Sequence, residues 1–286
     1  MPEALLSVGG LSVHLAQHRQ RRTIVADVTF ELGAECVALV GESGSGKSLT
    51  ARALLGLLRP PFAVDATHLR LAAPESAAVD LRQCTAAQWN GLRGRRLSLL
   101  LQDPRHSLNP VLTIGRQLEL ALGTHRRLPA TQKRERIAAM LEAVGLTQVK
   151  RVLASYPHQI SGGMGQRAVL AMMLMNDPQV LIADEPTSAL DAGLREQVME
   201  LIRQQVQIRR MGLLLISHDL QLVARYADRA LVLYRGRIVD QCAAHDLSRS
   251  THPYTHGLWA CRPDGHTYGT VLPVLDRNWS AEERQP

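Results

Sequence analysis

One short glycine-rich segment combines a lysine and a hydroxyl group at the spacing used to bind phosphates. The pattern GxxxxGK[ST] is matched by Gly41-Glu42-Ser43-Gly44-Ser45-Gly46-Lys47-Ser48. Glycines let successive N–H groups converge on phosphate oxygens, and the start of the following helix adds a positive dipole. Lys47 would neutralise the β- and γ-phosphates, and the Ser48 hydroxyl would bind Mg²⁺. This segment, the phosphate loop, predicts a nucleoside triphosphate site.

Two adjacent acids follow a short apolar run later in the chain. Val180–Ala183 predicts a buried strand, which places Asp184 and Glu185 at the carboxyl edge of a sheet, where ligands of open α/β folds bind. Asp184 suits the Mg²⁺ shell, and Glu185 suits a base that orients the attacking water. Alone, the two acids would also suit a turn before Pro186. A phosphate loop on the same chain favours the catalytic interpretation.

A second glycine-rich segment lies directly before a predicted helix at Arg167–Met175. It reads Ile160-Ser161-Gly162-Gly163-Met164-Gly165-Gln166-Arg167, and its small residues permit close approach of a phosphate to a helix start. Because the chain already has one phosphate loop, this second surface indicates a nucleotide held mainly by another subunit.

The elements that position these segments alternate between strands and helices, which predicts a mostly parallel sheet covered on both faces. The predicted strands are Ile24–Leu32, Cys36–Val40, Val180–Ala183 and Leu213–Ser217, with a late hairpin of Leu231–Tyr234 and Arg237–Asp240. The predicted helices are Lys47–Leu58, Gly193–Arg210 and Leu220–Tyr226, and Thr113–Ala121, Lys133–Val144 and Arg167–Met175 form a helical insertion. Ala63–Ala87 has weak periodicity and no assignment, and the tail from His245 is expected to extend beyond the core.

The composition is that of a globular protein with a basic balance. The 286 residues include 33 Lys+Arg and 26 Asp+Glu, a formal charge of +7, and 45% are hydrophobic, which excludes disorder as the main state. The four cysteines have no paired spacing, so we expect reduced thiols. No apolar run approaches the roughly 20 residues of a spanning helix, and the N-terminus lacks a leader pattern. The charge leaves nucleic acid, an anionic membrane surface and a nucleotide open as partners.

The chain resembles the ATP-binding subunits of ABC transporters, whose signature is LSGGxxQR. Ile160–Arg167 matches it with Ile in the first position, and is called the signature segment below. By the same resemblance, Gln102 corresponds to the Q-loop glutamine that touches Mg²⁺ or water. Ser188-Ala189-Leu190-Asp191 corresponds to the D-loop, and His218 to the switch histidine at the γ-phosphate. Taken singly, these three also suit a loop glutamine, a helix N-cap and a turn histidine.

The resemblance implies an α/β fold with a P-loop NTPase (RecA-like) core, a mostly parallel sheet, an antiparallel β subdomain and an inserted α-helical subdomain. It implies an ATPase domain at 1–245, with a core of about 1–102 and 167–245 and a helical subdomain of about 103–166, then a short extension at 246–286. Two ATPase subunits, alike or different, would sandwich ATP and Mg²⁺ between the phosphate loop and the opposing signature segment. They would lie beneath two permeases on the cytoplasmic face of the membrane and serve a solute-binding protein indirectly.

Two further stretches resemble the ATPases of importers for dipeptides, oligopeptides and nickel. These are Leu101–Pro110, an extended Q-loop, and His252-Pro253-Tyr254-Thr255, which opens the C-terminal extension of that subfamily. The substrate among these classes stays open. The sequence departs from the family at the base, because Ser12-Val13-His14-Leu15 offers no aromatic residue to stack on adenine. His14 is either a weak stacking group or an ordinary exposed strand residue.

A rival hypothesis is an ABC ATPase that acts on nucleic acid or ribosomes, which the charge of +7 keeps open. Such proteins usually carry two cassettes, a long coiled-coil insertion or zinc modules. The single phosphate loop and the single signature segment disfavour this rival, so no nucleic-acid partner is expected. A catalytically silent partner subunit is disfavoured because Glu185 and His218 are both present.

Overall fold

The structure is a computed structural model, and it describes residues 4–17, 20–73, 76–101, 107–126, 128–188 and 190–262. The chain divides into two units. The helical unit contains residues 4–7, Glu31–Glu35 and Arg70–Leu214. The phosphate-loop unit contains Val8–Phe30, Cys36–Leu69 and residues 215–262.

Strands and helices are numbered here along the described residues. The strands are β1 (Leu6–Gln17), β2 (Gln20–Leu32), β3 (Cys36–Val40), β4 (Phe62–Asp65), β5 (His68–Ala73), β6 (Ser76–Asp80), β7 (Leu97–Leu100), β8 (Val180–Asp184), β9 (Gly212–Ile216), β10 (Arg229–Tyr234) and β11 (Arg237–Ala243). The α-helices are α1 (Lys47–Leu54), α2 (Ala86–Leu92), α3 (Ile114–His125), α4 (Ala130–Ala143), α5 (Val149–Ala154), α6 (Gly162–Leu174), α7 (Ala192–Arg209), α8 (Leu220–Tyr226) and α9 (Pro253–Ala260). None of these helices is both long and apolar enough to cross a bilayer.

The strands that precede the phosphate loop and the two acids are paired in parallel. In the phosphate-loop unit β3 pairs in parallel with β10, with Leu39 opposite Leu231. In the helical unit β7 pairs in parallel with β8, with Leu99 opposite Ile182. Every residue of β3 and β8 is buried, as expected for parallel strands covered on both faces. The loops that follow β3 and β8 therefore start from rigid, buried strands.

Other strands of the described residues pair in antiparallel fashion. The predicted hairpin of β10 and β11 is present, and β1 pairs with β4 in the phosphate-loop unit. In the helical unit β5 pairs with β6. The stretch that the sequence left unassigned is therefore mostly strand, because cross-strand pairing fixes β4 to β6 where the alanine-rich sequence gives little local signal.

The helices α1, α3, α4 and α6 each differ by three to five residues at one end from the sequence interpretation. The first ends at Leu54 rather than Leu58, because Gly56 is left-handed with φ 60° and its N–H donates to Ala53 O at 3.0 Å. Helix α6 begins at Gly162, five residues before the predicted start at Arg167. The glycines of the signature segment are thus the first turn of a helix, and the expectation that they precede one is wrong.

Part of the C-terminal segment is packed, contrary to the expectation for the tail. A 3-10 helix spans Ala244–Arg249, and α9 follows with Tyr254 and Thr255 buried at 2% and 1% exposure. The polar sequence of this tail gave no sign of the burial.

Candidate functional site

The phosphate loop leaves β3 at Gly41 and enters α1 at Lys47. Gly41 has φ 147°, and a Cβ there would lie 2.1 Å from Leu233 O, so only glycine fits. Gly44 has φ 81°, and no heavy atom lies within 4 Å of its Cβ position. The loop is therefore pressed against its own unit at its first residue and open at its centre, as a phosphate cradle requires.

The Lys47 side chain lies back over the loop that precedes it. It is only 7% exposed, and its Nζ donates to Gly41 O at 2.8 Å and to Glu42 O at 2.9 Å. A buried ammonium is costly unless its protons are hydrogen-bonded. The loop carbonyls thus hold a positive charge in the position where triphosphate oxygens would be neutralised.

The turn between β10 and β11 supports the other side of the loop. Gly236 N donates to Ser45 O at 2.9 Å, and Ala26 N donates to Gly236 O at 2.8 Å. A cavity of about 220 Å³ lies beside the loop, lined by Glu42, Ser43, Gly44, Ser45, Tyr234 and Arg235. The Ser45 Oγ is buried and has no hydrogen-bond partner among the described residues. An open glycine, a buried lysine and an unsatisfied hydroxyl together fit a triphosphate.

The two acids after β8 have different settings within the helical unit. Asp184 is the last strand residue and is 7% exposed. Glu185 has φ 50°, a left-handed conformation that is uncommon outside glycine and that clusters at functional sites. Its carbonyl accepts from Ser188 N at 3.2 Å and from Ser188 Oγ at 3.1 Å. The turn therefore fixes the backbone of Glu185 in this conformation.

The signature segment is a capped helix start. Ser161 is the N-cap of α6, and its Oγ accepts from Met164 N at 3.3 Å. A Cβ on Gly163 would lie 3.0 Å from the Leu194 side chain. Gln166 is 2% exposed, and its Nε2 donates to Pro186 O, which ties α6 to the segment after β8. Free N–H groups of the first turn and the helix dipole make this end suitable for an anion.

The remaining predicted site residues lie at helix starts or outside the described residues. Asp191 is the N-cap of α7, and its Oδ1 accepts from Leu194 N at 2.9 Å. His218 is exposed in the turn between β9 and α8, next to Asp219, which caps α8. Gln102 and Ala189 lie outside the described residues.

Comparisons with known proteins agree with these motifs. The sequence pattern of the ABC transporter family matches residues 25–188. A putative peptide import ATP-binding protein of Brucella melitensis is 40% identical over 285 residues, covering 99% of this chain and 84% of that protein. The dipeptide transport ATP-binding protein DppD of Bacillus subtilis is 38% identical over 276 residues, covering 96% and 81%.

The chain belongs to the ABC transporter family. It is an ATP-binding, ATP-hydrolysing member of that family. A dimeric ABC transporter cassette in a post-hydrolysis state with ADP and Pi superposes with a TM-score of 0.69 at 21% identity, covering 84% of this chain and 98% of that one. CbiO1 of Clostridium perfringens, described as part of the transporter complex cbiONQ, superposes with a TM-score of 0.70 at 20% identity, covering 87% and 92%. These likenesses confirm the predicted fold class.

His14, where this ABC protein lacks the expected aromatic residue, is held by polar neighbours in the phosphate-loop unit. Its Nδ1 lies 3.0 Å from Thr23 Oγ1, and its Nε2 lies 3.3 Å from Asp65 Oδ2. The side chain is 15% exposed, so it is half-buried rather than an ordinary exposed strand residue.

Sequence reasoning missed two contributors to the phosphate loop of this ABC protein. One is Gly236, which had been assigned only to a hairpin turn. The other is Tyr254, whose Oη accepts a hydrogen bond from Glu42 N at 3.3 Å. Tyr254 lies in the HPYT stretch that the sequence had singled out, but a partner 212 residues away in the chain leaves no local signal.

Proposed function

We propose that this chain is the ATPase subunit of an importer for peptides, paired with a second ATPase subunit beneath two permeases at the cytoplasmic face of the membrane. The observation that carries the proposal is the phosphate loop, with Lys47 held by loop carbonyls and Gly44 open. The names of the relatives, which match along almost the whole chain, support import and favour peptides over nickel. The proposed ATPase domain is residues 1–245, with 246–286 as an extension.

We assign each motif residue one task in this reaction. Lys47 and the loop N–H groups of residues 41–48 bind the phosphates and stabilise the charge that develops on them. Ser48, Asp184 and Gln102 would hold Mg²⁺, a hard cation that prefers oxygen donors. Bound Mg²⁺ supplies further neutralisation of the phosphate charge.

Hydrolysis needs a group that orients the attacking water and takes its proton. Glu185 has that task, since its backbone is fixed by the turn through Ser188. His218 contacts the γ-phosphate. These groups act by position and electrostatics, and the chain forms no covalent intermediate.

The second subunit completes each site with its signature segment. Ser161, Gly162 and Gly163 at the start of α6 bind the triphosphate held by the partner. Gln166, through its hydrogen bond to Pro186 O, and Asp191, as the N-cap of α7, support that surface. Closure on ATP and opening after hydrolysis then move the permeases between inward and outward access. The solute-binding protein delivers the cargo to those permeases.

One experiment with Glu185→Gln tests both the ATPase assignment and the association with permeases. Wild-type and variant chains with an affinity tag are purified from membranes in mild detergent, and MgATP binding, hydrolysis and co-purified proteins are measured. Removing the base is expected to lower turnover about 10²- to 10⁴-fold while MgATP still binds. Two permeases are expected with both chains.

Glu200→Gln is the matched control, because Glu200 is an exposed glutamate of α7 outside the motifs. It is expected to keep wild-type turnover. Near-normal hydrolysis by Glu185→Gln would contradict the assigned base. Recovery of nucleic acid with steep salt dependence, in place of permeases, would favour the rival ATPase.

A further inference from the structure

The C-terminal helix α9 contacts the phosphate loop through one tyrosine. Tyr254 Oη accepts a hydrogen bond from Glu42 N at 3.3 Å, and Tyr254 is only 2% exposed. Both residues belong to the phosphate-loop unit. The hydroxyl is therefore a fixed, buried acceptor for the second residue of the loop.

A ring contact with Tyr234 holds Tyr254 in place. Its ring lies 4.4 Å from the ring of Tyr234 between centroids, at an angle of 46°, a favourable arrangement for an aromatic pair. Tyr234 also lines the cavity beside the loop. Because the ring is packed on a strand end that borders the loop, the hydroxyl cannot move away from Glu42 without losing this packing.

The half-buried carboxylate of Asp240 anchors the start of α9. Asp240 Oδ2 in β11 accepts hydrogen bonds from Ser250 Oγ and Thr255 Oγ1, each at 2.6 Å. Ser250 Oγ in turn accepts from His252 N at 3.1 Å. Bonds of hydroxyls to a carboxylate are short and strong, so the register of α9 on β11 is fixed next to Tyr254.

The peptide of Glu42 is bound on both sides. Its N–H donates to Tyr254, and its carbonyl accepts from Lys47 Nζ at 2.9 Å and from Ser45 N at 3.2 Å. Burial and then the charge of Glu42 raise the pKa of the Cys261 thiol at the C-terminal end of α9. The position of Lys47 before nucleotide binding thus depends on a peptide that α9 holds.

We propose that Tyr254 is a positioning residue for the phosphate loop, through which the C-terminal extension sets the affinity for MgATP. The inference rests on the proposed function of the loop. Tyr254 acts through Glu42 and Lys47 and touches no phosphate itself. Its hydroxyl pre-organises the ground state of the loop, so its loss weakens nucleotide binding and leaves the chemical step unchanged.

The test compares Tyr254→Phe with Tyr226→Phe in the full chain. Tyr226 is a buried tyrosine of α8 in the same unit, at 4% exposure, so its variant also loses a buried hydroxyl. Three quantities are measured: hydrogen exchange at the Glu42 amide without nucleotide, Kd for MgATP, and KM and kcat for hydrolysis. For Tyr254→Phe we expect faster exchange at Glu42, a Kd and KM raised about three- to tenfold, the range of one net hydrogen bond, and kcat within about twofold.

Equal exchange at Glu42 and equal KM in the two tyrosine variants would overturn the inference. A fall in kcat with unchanged KM in Tyr254→Phe would overturn it as well, because the hydroxyl would then act in the chemical step. Lys47→Ala tests the proposed function of the phosphate loop separately from the role of Tyr254. If it binds MgATP as the wild type does, the proposed function of the loop fails, and the role of Tyr254 fails with it.

Discussion

The phosphate loop and the signature segment both bring small residues to the start of a helix, yet their backbones differ. Gly41 and Gly44 have φ of 147° and 81°, so the phosphate loop leaves regular structure before α1 begins. The signature segment enters α6 at Gly162, directly after its cap Ser161. In the phosphate loop, glycine permits backbone angles that other residues rarely adopt. In the signature segment, the lack of a side chain leaves room for a ligand at the start of α6.

The surroundings of the phosphate loop and the signature segment differ as well. The phosphate loop is bound by Lys47, by the turn at Gly236 and by Tyr254, all within its own unit. Ser161 is exposed, and the signature segment offers an ordinary capped helix end. The first arrangement suits a loop that encloses a ligand by itself. The second suits a surface that a ligand carried by another subunit approaches.

Among the variants that test this comparison of the phosphate loop with the signature segment, Gly41→Ala is expected to have the largest effect. Its Cβ would lie 2.1 Å from Leu233 O, a backbone atom that cannot turn aside. We expect the free energy of unfolding to fall by about 3 kcal/mol or more and MgATP binding to be lost. Thermal unfolding and calorimetric titration measure both.

Gly44→Ala is the matched variant in the same loop. With no atom within 4 Å of the Cβ position, it has only the backbone cost of a left-handed residue, about 1–2 kcal/mol. Wild-type stability and binding in Gly41→Ala would show that the close approach to Leu233 is not required.

Gly163→Ala tests the other half of the contrast. Its Cβ would meet only the flexible end of Leu194 at 3.0 Å, so we expect little change in stability and in MgATP binding by the single subunit. A methyl group on the surface that approaches the triphosphate of the partner should lower hydrolysis about 10²-fold, the cost of a misplacement of roughly 1 Å. Steady-state ATPase rates at saturating MgATP measure it.

Gly165→Ala is the control for Gly163→Ala. Gly165 is buried in α6, and its Cβ would be in ordinary contact with Ile160 at 3.8 Å. Alanine there should stabilise the helix by about 0.5–1 kcal/mol and keep hydrolysis. Equal hydrolysis by the two variants would mean that no phosphate approaches the start of α6.

The sequence predicted the phosphate loop well because its chemistry is local. The strand at Cys36–Val40 and the start of the helix at Lys47 are both found. The sequence predicts the start of α6 five residues too late, because each glycine disfavours a helix interior by about 1 kcal/mol. The cap at Ser161 and the packing of α6 outweigh that preference in the folded chain.

Contacts between distant parts of the chain were beyond local reasoning. The strand β4 has a pairing partner that the local sequence does not reveal, as Val13 of β1 opposite Val64 illustrates. Tyr254 was visible as part of a motif, but its bond to Glu42 depends on how α9 packs against Tyr234. Tertiary packing decides such contacts, and no propensity of the separate segments encodes them.

Ser45→Ala is expected to have the smallest effect. The sign of its effect on the free energy of unfolding is the informative result. The Ser45 Oγ is buried with no partner among the described residues, and Ser45 is 5% exposed. Removing an unsatisfied hydroxyl relieves its desolvation cost, so Ser45→Ala should leave the free energy of unfolding unchanged or raise it by up to about 1 kcal/mol. If a phosphate satisfies this hydroxyl when MgATP binds, the same variant should weaken binding about two- to tenfold.

Ser98→Ala gives the opposite pattern and completes the comparison. Ser98 is equally buried, at 2% exposure, but its Oγ donates to Met173 O at 2.9 Å in the helical unit. Its loss should lower the free energy of unfolding by about 0.5–1.5 kcal/mol and leave MgATP affinity unchanged. Chemical denaturation and titration with MgATP of both variants distinguish a hydroxyl that binds the ligand from one that stabilises the fold. Equal destabilisation with unaltered affinity in Ser45→Ala would place Ser45 in the second group and exclude its hydroxyl from the ligand contacts of the loop.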